Sequence, residues 1–244
     1  MRALDQAFLC PSCGATWPVR DGIPDTLGDA SEDVITPFQR LMQSRMVASI
    51  YEGVWRRLGY YVASSRMFGE ELKTVLRLHR GKRCQRILDL ACGTGIFTRP
   101  LARQASGLVI GLDLSWPMLR QAQRLAGRGR LNNVILIRGT AFHLPFVPGT
   151  FDYVNCCGAL HLFQSPDAAL DEIARVLASG GHLCVQTTIR PDHSAGMAYF
   201  LEHFIRFGFF SQADLHERIF QRGFKILESE RHRISYTFLS RHFS

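Results

Sequence analysis

The chain has 244 residues, 46% hydrophobic and 20% charged, which excludes a disordered or low-complexity chain and suits one large domain with a small appendage. No apolar stretch reaches the roughly 18–20 residues that a membrane-spanning helix needs. The net charge of +8 is spread over pairs and triplets such as Arg56-Arg57 and Lys82-Arg83, the pattern of a solvated basic surface rather than a nucleic-acid-binding arm.

Residues 1–30 stand apart. Cys10-Pro-Ser-Cys13-Gly14, then Trp17-Pro18-Val19 and the turn-rich Asp21-Gly22-Ile23-Pro24-Asp25, predict a small β-knuckle held by packing of Trp17 and Ile23. Cys10 and Cys13 are half of a four-ligand zinc set, so no metal is expected. Five of the seven cysteines (Cys84, Cys92, Cys156, Cys157, Cys184) sit in apolar runs and read as buried thiols of a reducing compartment. With no apolar signal core at the start, the expected location is the cytoplasm.

Residues 31–80 predict a helical lid segment. Phe38, Leu41, Met42, Met46, Ile50 and Val54 form one stripe from Pro37 to about Gly59. A second helix, Ser64 to His79, carries Phe68, Leu72, Val75 and Leu76 on one face and ends at Gly81. From residue 81 to 244 strands alternate with helices. The strands are expected at Ile87–Leu90, Leu108–Leu112, Val134–Ile137, Phe151–Cys157 and Gly181–Thr188, with helices at about Ile96–Gln104, Ser115–Gly127 and Ala168–Leu177. Helices near Met197–Phe207 and Gln212–Gln221 and strands near Phe224–Glu228 and Ile234–Leu239 close the chain, with a cap insertion at about 191–222. The pattern is α/β: a Rossmann-like, doubly wound, mostly parallel sheet with helices on both faces, plus the lid and the knuckle.

The first strand-to-helix turn, Asp89-Leu90-Ala91-Cys92-Gly93-Thr94-Gly95, carries the chemistry. Glycines there let the backbone approach a ligand. The third glycine of a dinucleotide fingerprint is replaced by Thr98, and Gly-Lys-Ser/Thr of a phosphate loop is absent. A carboxylate at Asp89 suits a cationic group, and Asp113, at the end of the second strand, suits a ribose diol. A ligand with ribose, an amino group and no phosphate fits, and S-adenosylmethionine is one.

Residues 86–189 resemble class I S-adenosylmethionine-dependent methyltransferases of the ubiquinone/menaquinone type, methyltransferase domain type 11. The matching pieces are Leu88–Gly95, Gly111-Leu112-Asp113-Leu114-Ser115 with Met118-Leu119, Gly139–Phe146, Phe151–Val154 and Glu172–Gly181. Tyr51-Glu52 with Trp55-Arg56 resembles a plant and bacterial subgroup, and Cys10-x-x-Cys13 resembles the knuckle of some ribosomal RNA methyltransferases. The resemblance implies S-adenosylmethionine as cofactor, S-adenosylhomocysteine as product, and a small aromatic, quinone-like or natural-product acceptor. It implies that Asp89, Ala91, Cys92, Gly93 and Gly95 hold the methionine part and Asp113 the ribose. Leu114 and Met118 would sandwich the adenine, and Thr140, standing where many relatives have Asp, Ala141 and Phe142 would line its pocket. Cys156 is a small residue that lets the cofactor approach.

For the transfer itself, His161 beyond the fourth strand is the candidate general base and an acceptor contact. Tyr51, Trp55 and Tyr60 are expected to contact the acceptor, with the lid and the cap covering the site. Two alternatives stay open: an RNA methyltransferase, and a protein of this fold that binds the cofactor without methylating, as a cyclase or a regulator.

Overall fold

The computed structural model describes residues 7–9, 14–27, 48, 51–80, 84–191 and 208–243, without the side chains of Val54 and Trp55. Cys10, Cys13, most of the 37–50 stripe, Gly81 and the 197–207 helix lie outside the described residues.

The knuckle contains β1 (Ala7–Leu9), β2 (Thr16–Arg20) and β3 (Ile23–Pro24) in an antiparallel three-stranded sheet. Phe8 stacks on Trp17, whereas Ile23 leaves the knuckle and is buried with Cys92, Leu119, Ala122 and Leu136. A π-helical turn at Tyr51–Trp55 leads into α1 (Arg56–Ser64). Ser65 then takes a positive φ of 57°, and α2 (Phe68–His79) begins only beyond it. The buried face of α2 is Glu71, Val75, Leu78 and His79, rotated from the predicted stripe.

The main elements follow in order: β4 (Arg86–Leu90), α3 (Thr98–Gln104), β5 (Leu108–Asp113), α4 (Trp116–Arg128), β6 (Val134–Arg138), β7 (Phe151–Cys157), α5 (Pro166–Val176), β8 (Leu177–Thr188), α6 (Gln212–Gln221), β9 (Phe224–His232) and β10 (Ser235–His242). α4 starts where its sequence dictates, with the Ser115 hydroxyl accepting from the Met118 N–H and Pro117 in the first turn. The sheet order is β6-β5-β4-β7-β8-β10-β9, parallel except for β10, which runs antiparallel to both neighbours. Period-two alternation splits the core: Leu88, Val154 and Val185 face α5 and α6, while Ile87, Val109 and Tyr153 face α2 and α3.

The knuckle is fastened to the outer edge of β6. Asp25 bridges Arg138, and the Thr26 N–H and hydroxyl both donate to the Arg138 carbonyl at 2.9 and 2.8 Å. The buried Asp25 carboxylate pairs with the Arg138 guanidinium at 3.0 Å. Arg138 in turn donates from Nε to the Leu114 carbonyl at 3.1 Å and covers the Trp116 ring.

Candidate active site

In a parallel sheet the strand carboxyl ends leave a crevice where the chain order reverses. Here β4, β5 and β7 open onto a cavity of ≈ 280 Å³ roofed by the 51–63 segment. One end is built from the loops after β4, β5 and β6. Ala91, Gly93, Asp113, Leu114, Met118, Thr140, Ala141 and Phe142 line it, together with Gly139 and Ser115. The other end is lined by Arg56, Tyr60, Gly158, Ala159, His161, Leu162, Phe163, Gln186 and Thr188.

The loop after β4 adopts its shape through positive φ at Ala91 (54°), Gly93 (56°) and Gly95 (77°). The non-glycine Ala91 bears a cost of about 1 kcal/mol there, sustained by the packed strands on either side. The Gly93 N–H donates to Asp113 Oδ2 and the Ser115 N–H to Oδ1, both at 2.8 Å. The Asp113 carboxylate thus retains acceptor capacity for a ligand diol. The segment before α1 grips the same loop: Glu52 accepts from the Thr94 hydroxyl at 2.6 Å and forms a two-pronged pair with Arg99 at 3.0 and 2.8 Å. The sequence reading quoted Glu52 and Thr94 only as members of motifs, without this role, and did not single out Arg99.

Four residues expected at the cofactor do not line the cavity. Asp89 lies beneath the loop, its carboxylate accepting from Thr98 Oγ1 at 2.5 Å and Asn155 Nδ2 at 2.7 Å. Burial pushes its carboxyl up to about 6, against those hydrogen bonds. Its role in the described geometry is to brace β4, β7 and α3 under the loop. Cys92 turns its thiol under Gly111 and Leu136, and Gly95 closes the turn by donating to the Cys92 carbonyl. Cys156 lies in the core, where burial pushes its thiol up to about 12. Thr140 faces the cavity while its hydroxyl accepts the Phe142 N–H at 3.3 Å, so part of its capacity serves the turn.

Tyr51 reaches toward both ends, with Arg56 and Glu71 as well as Asp113 acting on its hydroxyl. Its ring packs with Ala48 and Met118, and would stand 4.0 Å from a Cβ at Gly93. Tyr60 lines the far end, and the side chain of Trp55 lies outside the described residues. His161 also lines that end, with Nδ1 3.4 Å from the Thr187 hydroxyl. Burial, aided by the Arg56 charge, lowers its pKa to about 3. Burial thus favours the neutral imidazole, which weakens it as a proton acceptor.

Arg56 is the residue that sequence reading missed. Taken with Arg57 as solvated surface charge, it is instead folded into the cavity, beside the Phe68 and Phe97 rings at 5.6 and 5.8 Å. Its Nη2 donates to Glu71 Oε1 at 2.6 Å and more weakly to Gln186 Oε1 at 3.4 Å. Glu71 is fully buried, and desolvation pushes its carboxyl up to about 7 despite the opposing pull of Arg56. The signal available in the sequence was Glu71 itself, at helical spacing with Val75 and Leu78 on an apolar face.

Among the described residues no group of His, Cys, Asp and Glu could hold a metal ion, and no helix is long and apolar enough to cross a membrane. Residues 87–181 match the model of a methyltransferase domain. The chain is 42% identical over 123 residues to a demethylmenaquinone methyltransferase of Lactiplantibacillus plantarum, covering 49% of this chain and 52% of that protein. It is 31% identical over 193 residues to an uncharacterised chloroplastic methyltransferase of Arabidopsis thaliana, covering 75% and 54%. The chain thus spans about half the length of these curated relatives. A solved SAM-dependent methyltransferase of Methanosarcina mazei shares the fold, with a TM-score of 0.59 at 17% identity over 69% of this chain and 97% of that one.

Proposed function

We propose that the chain, whose residues 87–181 match the model of a methyltransferase domain, is an S-adenosylmethionine-dependent methyltransferase of class I that methylates a small aromatic acceptor of the quinone type. The observation that carries this reading is a single cavity with Asp113 at one end and the Arg56, His161 and Gln186 cluster at the other. The residues at the first end fit the cofactor. Asp113 is the one carboxylate among the described lining residues and has acceptor capacity to spare for a diol, and Leu114, Met118 and Phe142 offer apolar surface to a purine.

When bound, S-adenosylmethionine supplies an electrophilic methyl group on a cationic sulfonium. The chain's own residues orient and exclude water. Asp113 would hold the ribose and the backbone of Ala91 and Gly93 the amino-acid part, while Tyr51 packs against Met118. At the far end neutral His161 and Gln186 position the acceptor through hydrogen bonds, and Tyr60, Leu162 and Phe163 flank its ring. The quinone-type acceptor is favoured by the name of the relative that matches at 42% and by the predominantly apolar lining. Residues 51–80 act as a lid segment in this proposal, and the knuckle as a brace.

Two measurements test it. Calorimetry should find saturable binding of S-adenosylhomocysteine, and labelled S-adenosylmethionine should transfer its methyl group to 1,4-naphthoquinol. Failure to bind S-adenosylhomocysteine at all, or transfer of label to total RNA and not to the quinol, overturns the proposal.

A further inference from the structure

The geometry points to Arg56 as an anchor that selects acceptors carrying an oxyanion on the ring; this rests on the methyltransferase reading of the same cavity. Arg56 is the one cation among the described lining residues, and its side chain is only 13% exposed. A guanidinium has five N–H donors in a fixed fork. Nη2 is used by Glu71 and Gln186, whereas Nε and Nη1 have no hydrogen-bond partner among the described residues. The group is held still for binding: aromatic rings lie against it, and its back rests on Gly158. A Cβ at Gly158 would stand 2.6 Å from both Nη atoms, so only glycine admits this seat.

A cation with donors to spare and only 13% of its side chain exposed calls for an anion, because its partial desolvation is only partly compensated. Glu71 supplies part of that compensation. Its Oε2 is buried without a partner, and its raised carboxyl pKa, about 7, leaves the guanidinium only partly neutralised near neutral pH. A phenolate or enolate oxygen on the acceptor completes the balance.

The same charge serves the transfer. An electron pair of the ionised acceptor forms the bond to the methyl carbon. The carbon–sulfur bond breaks and its electrons stay on sulfur as a neutral thioether. The acceptor's negative charge and the sulfonium's positive charge are both consumed, and the product loses the ionic contact that held the substrate.

The test uses the full chain saturated with S-adenosylhomocysteine and two calorimetric probes: 2-hydroxy-1,4-naphthoquinone, an anion at neutral pH, and neutral 1,4-naphthoquinone. Arg56→Gln should weaken the anionic probe by roughly tenfold or more and leave the neutral probe nearly unchanged. Glu71→Gln keeps an acceptor for Nη2 but removes the competing charge, so the anionic probe should bind more tightly. A merely structural pair predicts loss in both variants, and that result overturns the anchor. A carboxylate on the cofactor is the other source of an anion. Arg56→Gln weakening S-adenosylhomocysteine but not 5′-methylthioadenosine, which lacks that carboxylate, also overturns it. No binding of S-adenosylhomocysteine by the unaltered protein defeats the methyltransferase reading. Binding without preference for the anionic probe defeats the anchor alone.

Discussion

Replacing Asp25 by Asn removes the charge that fastens the knuckle to the sheet. Asp25 is 1% exposed, and both carboxylate oxygens accept from Arg138 Nη1, at 3.0 and 3.3 Å. Removing one partner of a buried ion pair costs about 3–5 kcal/mol, because the other charge is left without compensation. Arg138 is not wholly stranded: its side chain is 14% exposed, the Leu114 carbonyl accepts from Nε, and the Trp116 ring lies beneath the guanidinium at 5.3 Å. These contacts reduce the expected loss to about 2 kcal/mol. With a urea slope of about 3 kcal/mol/M for a chain of this size, the unfolding midpoint should fall by about 0.7 M. Affinity for S-adenosylhomocysteine should fall as well, because Arg138 holds the carbonyl of Leu114, which lines the cavity. Asp25→Leu combined with Arg138→Met, which replaces both charges by apolar groups, should recover most of the midpoint. An unmoved midpoint in Asp25→Asn, or a double variant as weak as the sum of the two single changes, refutes the reasoning.

Asp113→Ala removes two charge-assisted acceptors for a diol and should weaken S-adenosylhomocysteine by about 100-fold in calorimetry; a change below about threefold would remove Asp113 from the ribose site. Tyr51→Ala strips the ring from Met118 and the Gly93 loop, so cofactor affinity should fall along with turnover; lower turnover at unchanged S-adenosylhomocysteine affinity would return Tyr51 to the acceptor. His161, lowered to about 3, contributes stability that is fully present above its unfolded pKa of about 6.5 and is lost as pH falls from there toward 3. Glu71 and Asp89, raised to about 7 and about 6, act in the opposite direction, with contributions present at low pH and lost as pH rises through those values. Urea midpoints from pH 7.5 to 4 should therefore fall less steeply in His161→Asn and more steeply in Glu71→Gln; parallel curves for all three proteins refute both assignments.

The elements that sequence made legible are those whose neighbours are local or apolar. β7 occupies the predicted Phe151–Cys157, because an apolar run bounded by Gly149-Thr150 and Gly158 has only one way to join a buried sheet. β9 runs on to His232, past the predicted Glu228, through Glu230 and Arg231, whose polarity hid a strand that among the described residues pairs only on its β10 side. The cofactor end was readable from Gly93 and Asp113, since the loop and the strand end are short motifs with backbone causes. Arg56 was not, because a guanidinium's destination depends on Glu71, Gly158 and Gln186, which come together only when the sheet is assembled. Asp89 misled for the converse reason: a carboxylate at a strand end looks available to a ligand until Thr98 and Asn155 are seen to take its oxygens.

The two borders of the seven-stranded sheet face the same hazard, since a bare strand offers N–H and C=O groups to a second chain. β9 deters such recruitment by sequence, with Lys225, Glu228, Glu230 and Arg231 along it. β6, reading Val-Ile-Leu-Ile-Arg, has little charge to repel a visitor, and Ile135 on it is already 43% exposed. There the docked knuckle works as a stopper, closing the Arg138 end with the Asp25 bridge and the two Thr26 hydrogen bonds. The appendage that looked from its half-set of cysteines like the remnant of a metal site thereby occupies one end of a sheet border. Shortening the chain to begin after Thr26 would unplug that border and let molecules join edge to edge, with a self-association that grows with concentration.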